Sequence, residues 1–125
     1  MILKPNMVIS GKKCPQRASP EQVAAATVRC LKRHVPGAVP GIAFLSGGQS
    51  PAEAALHLSL MNASGGLPWQ LTFSYGRALQ EAAISAWGGK SATFAAGQRE
   101  FGKWARLNGL ARNGRFKPGM EAQAA

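Results

Sequence analysis

Gly41-Ile42-Ala43-Phe44-Leu45, then Ser46-Gly47-Gly48, then Ser50-Pro51-Ala52-Glu53: this stretch decides the fold class. An uninterrupted apolar run suits a strand buried on both faces. Two glycines allow a tight turn with a positive φ. Ser50 can cap a helix, Pro51 fits the first helical position and Glu53 completes a capping box, with the helix expected to run to about Asn62. Strand, turn and helix in immediate succession form one βα unit.

The same plan recurs on either side. Upstream, residues 1–9 are apolar apart from Lys4 and Asn6, and Pro5 is tolerable near the end of a strand. After a loop, Ser19-Pro20-Glu21-Gln22 is another capped helix start. Val23, Ala26, Thr27, Cys30 and Leu31 then fall on one helical face, largely away from Arg29, Lys32 and Arg33, until Pro36-Gly37 ends the helix. Downstream, Trp69–Phe73 alternates as a strand, Ser74-Tyr75-Gly76 turns, and a helix is expected over Arg77–Trp87. A capped tail helix follows from Ser91 to about Asn108, and the Gly- and Ala-rich chain beyond Gly109 is expected to fray. Strands alternating with helices, without a hairpin signal, predict an α/β fold with parallel strands and outer helices. Three such units are too few to close an eight-stranded barrel and read as part of one.

The chain has 125 residues and a formal charge of +10. Five glutamates are its only acids, and it holds no aspartate. The 15 basic residues are scattered from Lys4 to Lys117, so the imbalance favours anionic partners without marking a nucleic-acid stripe. No apolar run approaches the roughly 18 residues of a membrane span, and the first residues lack a secretory pattern, so no membrane partner is expected and the expected compartment is cytoplasmic. Cys14 and Cys30 are too few for a disulfide framework and read as one buried and one surface thiol. His34 and His57 lack metal-ligand spacing and read as structural, as do Trp69, Trp87 and Trp104 as packing groups.

Three features carry candidate chemistry. Lys4 lies in a strand-like stretch among apolar neighbours, where desolvation favours the neutral, nucleophilic amine; the alternative is a surface lysine. Ser46, Gly47 and Gly48 join a strand to a helix N-terminus, where backbone N–H groups and the helix dipole suit an oxyanion, although a bare turn would look alike. Gly76-Arg77 repeats the logic one unit later, with a guanidinium suited to a bidentate grip on phosphate, or simply solvated. In a βα barrel, active-site groups come from the carboxyl ends of strands, and phosphate often sits after the last two.

Leu3-Lys4-Pro5-Asn6-Met7, Pro40 through Ser50, Leu71-Thr72-Phe73-Ser74-Tyr75-Gly76-Arg77-Ala78-Leu79-Gln80 and Ala86-Trp87-Gly88-Gly89-Lys90 together resemble the last three βα units of class I fructose-bisphosphate aldolase. The resemblance implies a partial TIM (β/α)₈ barrel over residues 1–112 and a flexible tail over 113–125. It implies Lys4 as the catalytic, Schiff-base lysine on the ketose C2 carbonyl. Ser46, Gly47, Gly48 and Arg77 would bind the substrate's C1 phosphate. It further implies a glycolytic lyase acting reversibly on fructose 1,6-bisphosphate, with no metal, no cofactor and tetrameric assembly. In the family the acid–base groups and second phosphate site lie on the first five units. None of the five glutamates is a candidate base here: four fall in helices expected to lie away from strand ends, and Glu121 is in the tail. The family's C-terminal tyrosine has no counterpart before Ala124-Ala125. With two open sheet edges, the chain is expected to aggregate or to be poorly active alone.

Two other readings compete. Leu45-Ser46-Gly47-Gly48-Gln49 is identical to the ATP-binding cassette signature, yet no GxxxxGK[ST] loop accompanies it, and without aspartate a Walker-type Mg²⁺ ligand is impossible. A basic nucleic-acid-binding module would explain the charge but not two apolar strands ending in glycine turns; no nucleic acid is expected.

Overall fold

The computed structural model describes residues 1–123. Three strands form one parallel sheet in sequence order: β1 (Ile2–Leu3), β2 (Gly41–Phe44) and β3 (Gln70–Phe73). The register pairs Leu3 with Ile42 and Ile42 with Leu71. Pairing runs past the strand ends, where Leu45 N–H donates to the Pro5 carbonyl at 3.0 Å and Ser74 N–H to the Phe44 carbonyl at 2.8 Å. The three carboxyl ends therefore lie along one edge of the sheet.

Helix α1 (Pro20–His34) joins β1 to β2, and α2 (Pro51–Ala63) joins β2 to β3. Both begin with the expected capping boxes, Ser19 with Gln22 and Ser50 with Glu53. Helix α3 (Arg77–Trp87) has the expected bounds and stops at Gly88 in the left-handed region. A short 3₁₀ turn (Ser91–Thr93) leads into α4 (Phe94–Arg112), and a final turn of helix, α5, spans Met120–Gln123. The chain enters the last long helix through this 3₁₀ turn, without the side-chain cap expected at Ser91. Helix α4 also continues through Gly109, and beyond it Phe116 is buried. Ser59 Oγ donates to the Phe116 carbonyl at 3.0 Å, so this part of the expected tail packs onto α2. Ala124 and Ala125, the rest of that tail, lie outside the described residues.

The core lies between sheet and helices. Ile42, Phe44 and Leu71 point into it with Ala54, Ala55, Leu58, Met61, Trp104 and Leu107. The strand β2 is not buried on both faces: Ala43 and its partner Thr72 are only partly covered. Helices cover one face of the sheet, whereas in a closed barrel the other face meets opposing strands. Two further expectations fail for reasons of local geometry. Cys30 is exposed, as is Cys14, because α1 turns Val23, Ala24, Thr27 and Leu31 inward instead. Trp87 is 42% exposed at the end of α3, while Trp69 and Trp104 are buried as packing groups. No helix among the described residues is long and apolar enough to cross a membrane.

Candidate active site

The parallel register places all the singled-out residues at one rim. Lys4 follows directly on β1, and continuing the register by one residue sets it beside Ala43, in line with Thr72. These positions share the sheet face away from the helices. Lys4 is exposed in this chain, so the dry surroundings expected for it are not supplied here. The physical reason is that β1 is an edge strand and nothing among the described residues packs over its open face.

The turn Ser46-Gly47-Gly48 is built for close backbone approach. Gly47 has φ +59° and Gly48 φ +82°, a region costly for any residue with a Cβ. The Asn6 carboxamide, from the segment just after Lys4, fills the space beside Gly47. Asn6 Oδ1 is itself fixed by accepting from Met7 N–H at 2.9 Å. At Gly48 the neighbours are cationic. A Cβ built there would lie 3.2 Å from Lys12 Nζ and 3.8 Å from Arg77 Nη2. Lys12 thus joins Ser46, Gly48 and Arg77 around one point at the N-terminus of α2.

A buried relay holds the turn from below. Gln49 is 6% exposed; its Nε2–H donates to the Ser46 carbonyl at 2.8 Å, and its Oε1 lies 2.5 Å from His57 Nδ1. Satisfying both ends of the Gln49 amide requires the ring N–H at Nδ1. Burial holds the His57 imidazole below its ordinary pKa; nearby Arg17 pushes the same way, and Glu53 opposes them. His57 is therefore structural, as the sequence suggested, but its structural task is at the candidate site.

A hollow of about 800 Å³ opens beside the turn, lined in part by Gly48, Gln49, Ser50, Arg77, Arg17 and Trp104. Glu53 and Glu81 also line it, which corrects their expected placement away from the strand ends. In parallel βα units a helix begins where its strand ends, so Glu53 in the first turn of α2 and Glu81, one turn beyond Arg77 on α3, reach the rim. The Glu53 carboxylate is nonetheless occupied: it accepts from Ser50 N–H at 2.9 Å and lies 3.9 Å from Arg17. That capping bond is the chief cause holding its pKa below the ordinary carboxylate value.

The sequence singled out Lys4, Ser46, Gly47, Gly48 and Arg77, and the fold brings the last four together at one rim with Lys4 on the neighbouring strand. It missed Lys12, Asn6 and the Gln49–His57 pair. Lys12 could have been found, since it too follows the carboxyl end of a candidate strand. Asn6 and His57 act through contacts that no local pattern encodes.

Comparison with known proteins identifies the family of the chain. The family model described as fructose-bisphosphate aldolase class-I matches residues 1–125. The chain is 54% identical over 125 residues to fructose-bisphosphate aldolase B of Sparus aurata, covering 99% of this chain and 34% of that protein. It is 53% identical to fructose-bisphosphate aldolase C of Rattus norvegicus, again covering 34% of the relative. It therefore spans about a third of the length of these relatives. Among solved structures, fructose-bisphosphate aldolase from Plasmodium falciparum, in a complex with TRAP and a small-molecule inhibitor, superposes with a TM-score of 0.90 at 47% identity. The match covers 94% of this chain and 34% of that one, so the three βα units are a segment of the aldolase barrel. Sequence, fold and comparison converge: this chain belongs to the class I fructose-bisphosphate aldolase family.

Proposed function

We propose that this chain supplies the imine-forming lysine and the C1-phosphate grip of a fructose-bisphosphate aldolase that works in the cytoplasm. Residues 1–112 form the barrel segment in this reading, and assembly is tetrameric as in the family. Lys4 Nζ adds to the C2 ketone of fructose 1,6-bisphosphate, and loss of water gives a protonated imine. When the C3–C4 bond breaks, its electron pair moves toward that imine, leaving the enamine of dihydroxyacetone phosphate. The C4 hydroxyl loses its proton and becomes the aldehyde of glyceraldehyde 3-phosphate. Protonation at C3 and hydrolysis of the imine return Lys4. Ser46, Gly47, Gly48 and Arg77 hold the C1 phosphate, converting part of the binding energy into orientation of C2 toward the amine.

One observation carries the reading. Lys4, the Ser46-Gly47-Gly48 turn and Arg77 end three successive parallel strands along one edge, and an arginine faces Gly48. The base for the C4 proton is assigned to the part of the relatives' length that this chain does not span. Imine formation and carbon–carbon cleavage are thus separable. Borohydride reduction in the presence of dihydroxyacetone phosphate, followed by peptide mapping, tests the first. A label at Lys4 supports the proposal; well-folded chain without label contradicts it.

A further inference from the structure

Lys12 is a cationic group at this rim that neither the sequence motifs nor the proposed mechanism uses. It sits in the turn after β1, where Cys14 N–H closes onto the Gly11 carbonyl at 2.9 Å. Its side chain reaches back over the neighbouring unit, so that Cε and Nζ lie 2.9 and 3.2 Å from the place of a Cβ on Gly48. Arg77 Nη2 approaches the same place at 3.8 Å from the β3 side. Two cations from two different units therefore flank one glycine. Neither forms an ion pair among the described residues, whose salt bridges are Arg17–Glu53 and Lys103–Glu100.

Like charges brought together without a counter-charge repel, and a bound anion relieves that repulsion. The surroundings fit an anion in other respects. The Gly47 and Gly48 amides have no hydrogen-bond acceptor among the described residues, and they precede the N-terminus of α2. Ser46 is 7% exposed as a residue, and its hydroxyl makes no hydrogen bond among the described residues. The two carboxylates that line the same hollow form no ion pair with Lys12 or Arg77 among the described residues. Glu53 caps α2 and faces Arg17, and Glu81 forms no ion pair among the described residues although it lines the same hollow.

Resting on the phosphate-site reading above, we propose that Lys12 is a further binding group of that site. It closes over Gly48 beside Arg77 and selects a doubly charged phosphate monoester over a singly charged ester of the same shape. One cation balances a monoanion; two flanking cations favour a dianion by Coulomb attraction that a single arginine does not provide. The turn that carries Lys12 also follows the strand of Lys4. An anion bound there would tie the nucleophile's unit to the phosphate turn.

The test is titration of the full isotopically labelled chain with methyl phosphate and with methyl sulfate, reading the amide resonances of Gly47 and Gly48. Lys12→Gln, Lys12→Arg and Arg77→Gln are compared, each checked for native fold by circular dichroism. The expected result is that Lys12→Gln weakens methyl phosphate about tenfold, equivalent to about 1.4 kcal/mol, and methyl sulfate far less. Lys12→Arg, which keeps the charge, should restore most of the preference. If Arg77→Gln abolishes phosphate binding while Lys12→Gln binds like the unmodified chain, the assignment of Lys12 is wrong and the phosphate site stands. If the folded, unmodified chain shows no response of Gly47 or Gly48 to phosphate, the site reading fails and Lys12 fails with it.

Discussion

The Asn6 carboxamide occupies the space that a side chain on Gly47 would need. This contact locks the segment after Lys4 against the candidate phosphate turn, joining two βα units at the rim where chemistry is proposed. A substitution at Gly47 meets two separate costs. The backbone sits at φ +59°, where a Cβ costs roughly 1–2 kcal/mol, and Asn6 must also give way and release Met7 N–H. Gly65, at φ +65° with nothing within 4 Å, carries only the first cost. Gly47→Ala should therefore destabilise the chain by about 2–4 kcal/mol and Gly65→Ala by about 1–2 kcal/mol. Urea denaturation compares them, and equal losses would show that the Asn6 contact contributes nothing.

His57 should make stability depend on pH. Its folded pKa is depressed by burial, so the unfolded chain takes up a proton that the folded chain resists. The resulting stability is full above the ordinary histidine value of about 6.5 and declines as the pH falls below it toward the lowered folded value. Glu53, also held low, loses its contribution only in a more acid window. Denaturation midpoints at about pH 7.5 and 5.5 should differ in the parent chain and differ less in His57→Gln, which keeps an N–H for Gln49. A variant with the same slope as the parent would remove His57 as the cause.

Tyr75 is the single tyrosine of the chain, which makes its ionisation directly visible. Its hydroxyl donates to the Ala54 carbonyl at 2.9 Å, and burial pushes its pKa up. Stability from this group is present below about pH 10, where the unfolded phenol begins to ionise, and is lost as the pH rises further. Tyrosinate absorbance should therefore appear only together with alkaline unfolding. Tyr75→Phe should cost about 1 kcal/mol at neutral pH by losing the hydrogen bond.

Phe116 anchors the segment after α4, at 3% exposure. Truncation to alanine should destabilise by about 3 kcal/mol or more, as for other buried aromatic residues. A loss within about 0.5 kcal/mol in chemical denaturation would mean that this segment does not pack in solution.

The outer surface of α3 and α4 leaves Ile84, Trp87, Phe94 and Phe101 between 42% and 59% exposed around a hollow of about 500 Å³. Contiguous apolar surface of this kind promotes association. Ile84→Lys with Phe101→Lys should reduce self-association in sedimentation velocity while changing stability by no more than about 0.5 kcal/mol. Unchanged association would place the sticky surface elsewhere, such as the open edge at β1.

Much of the fold could be read locally. The capping boxes at Ser19 and Ser50, the proline after each and the glycine stop at Gly88 are signals written within a few residues, and the helices begin or end at them. Cys30 was misplaced because helical spacing defines a stripe but not its centre. The packed face of α1 turned out to run through Ala24 rather than Cys30. The length of α4 was underestimated at Gly109, since packing of Leu107 and Ala111 outweighs the roughly 1 kcal/mol helical penalty of a glycine.

The sequence alone determined the strand–turn–helix order, the family resemblance and four of the groups gathered at the rim, because each rests on neighbouring residues or a fixed motif. Only the tertiary structure decided that Lys12 from the first unit stands over Gly48 in the second, that Asn6 fills the gap at Gly47, and that buried His57 steadies Gln49. It also decided that Lys4 is exposed in this chain. Such contacts depend on how parallel strands align and what covers them, and that information is distributed over residues far apart in the chain.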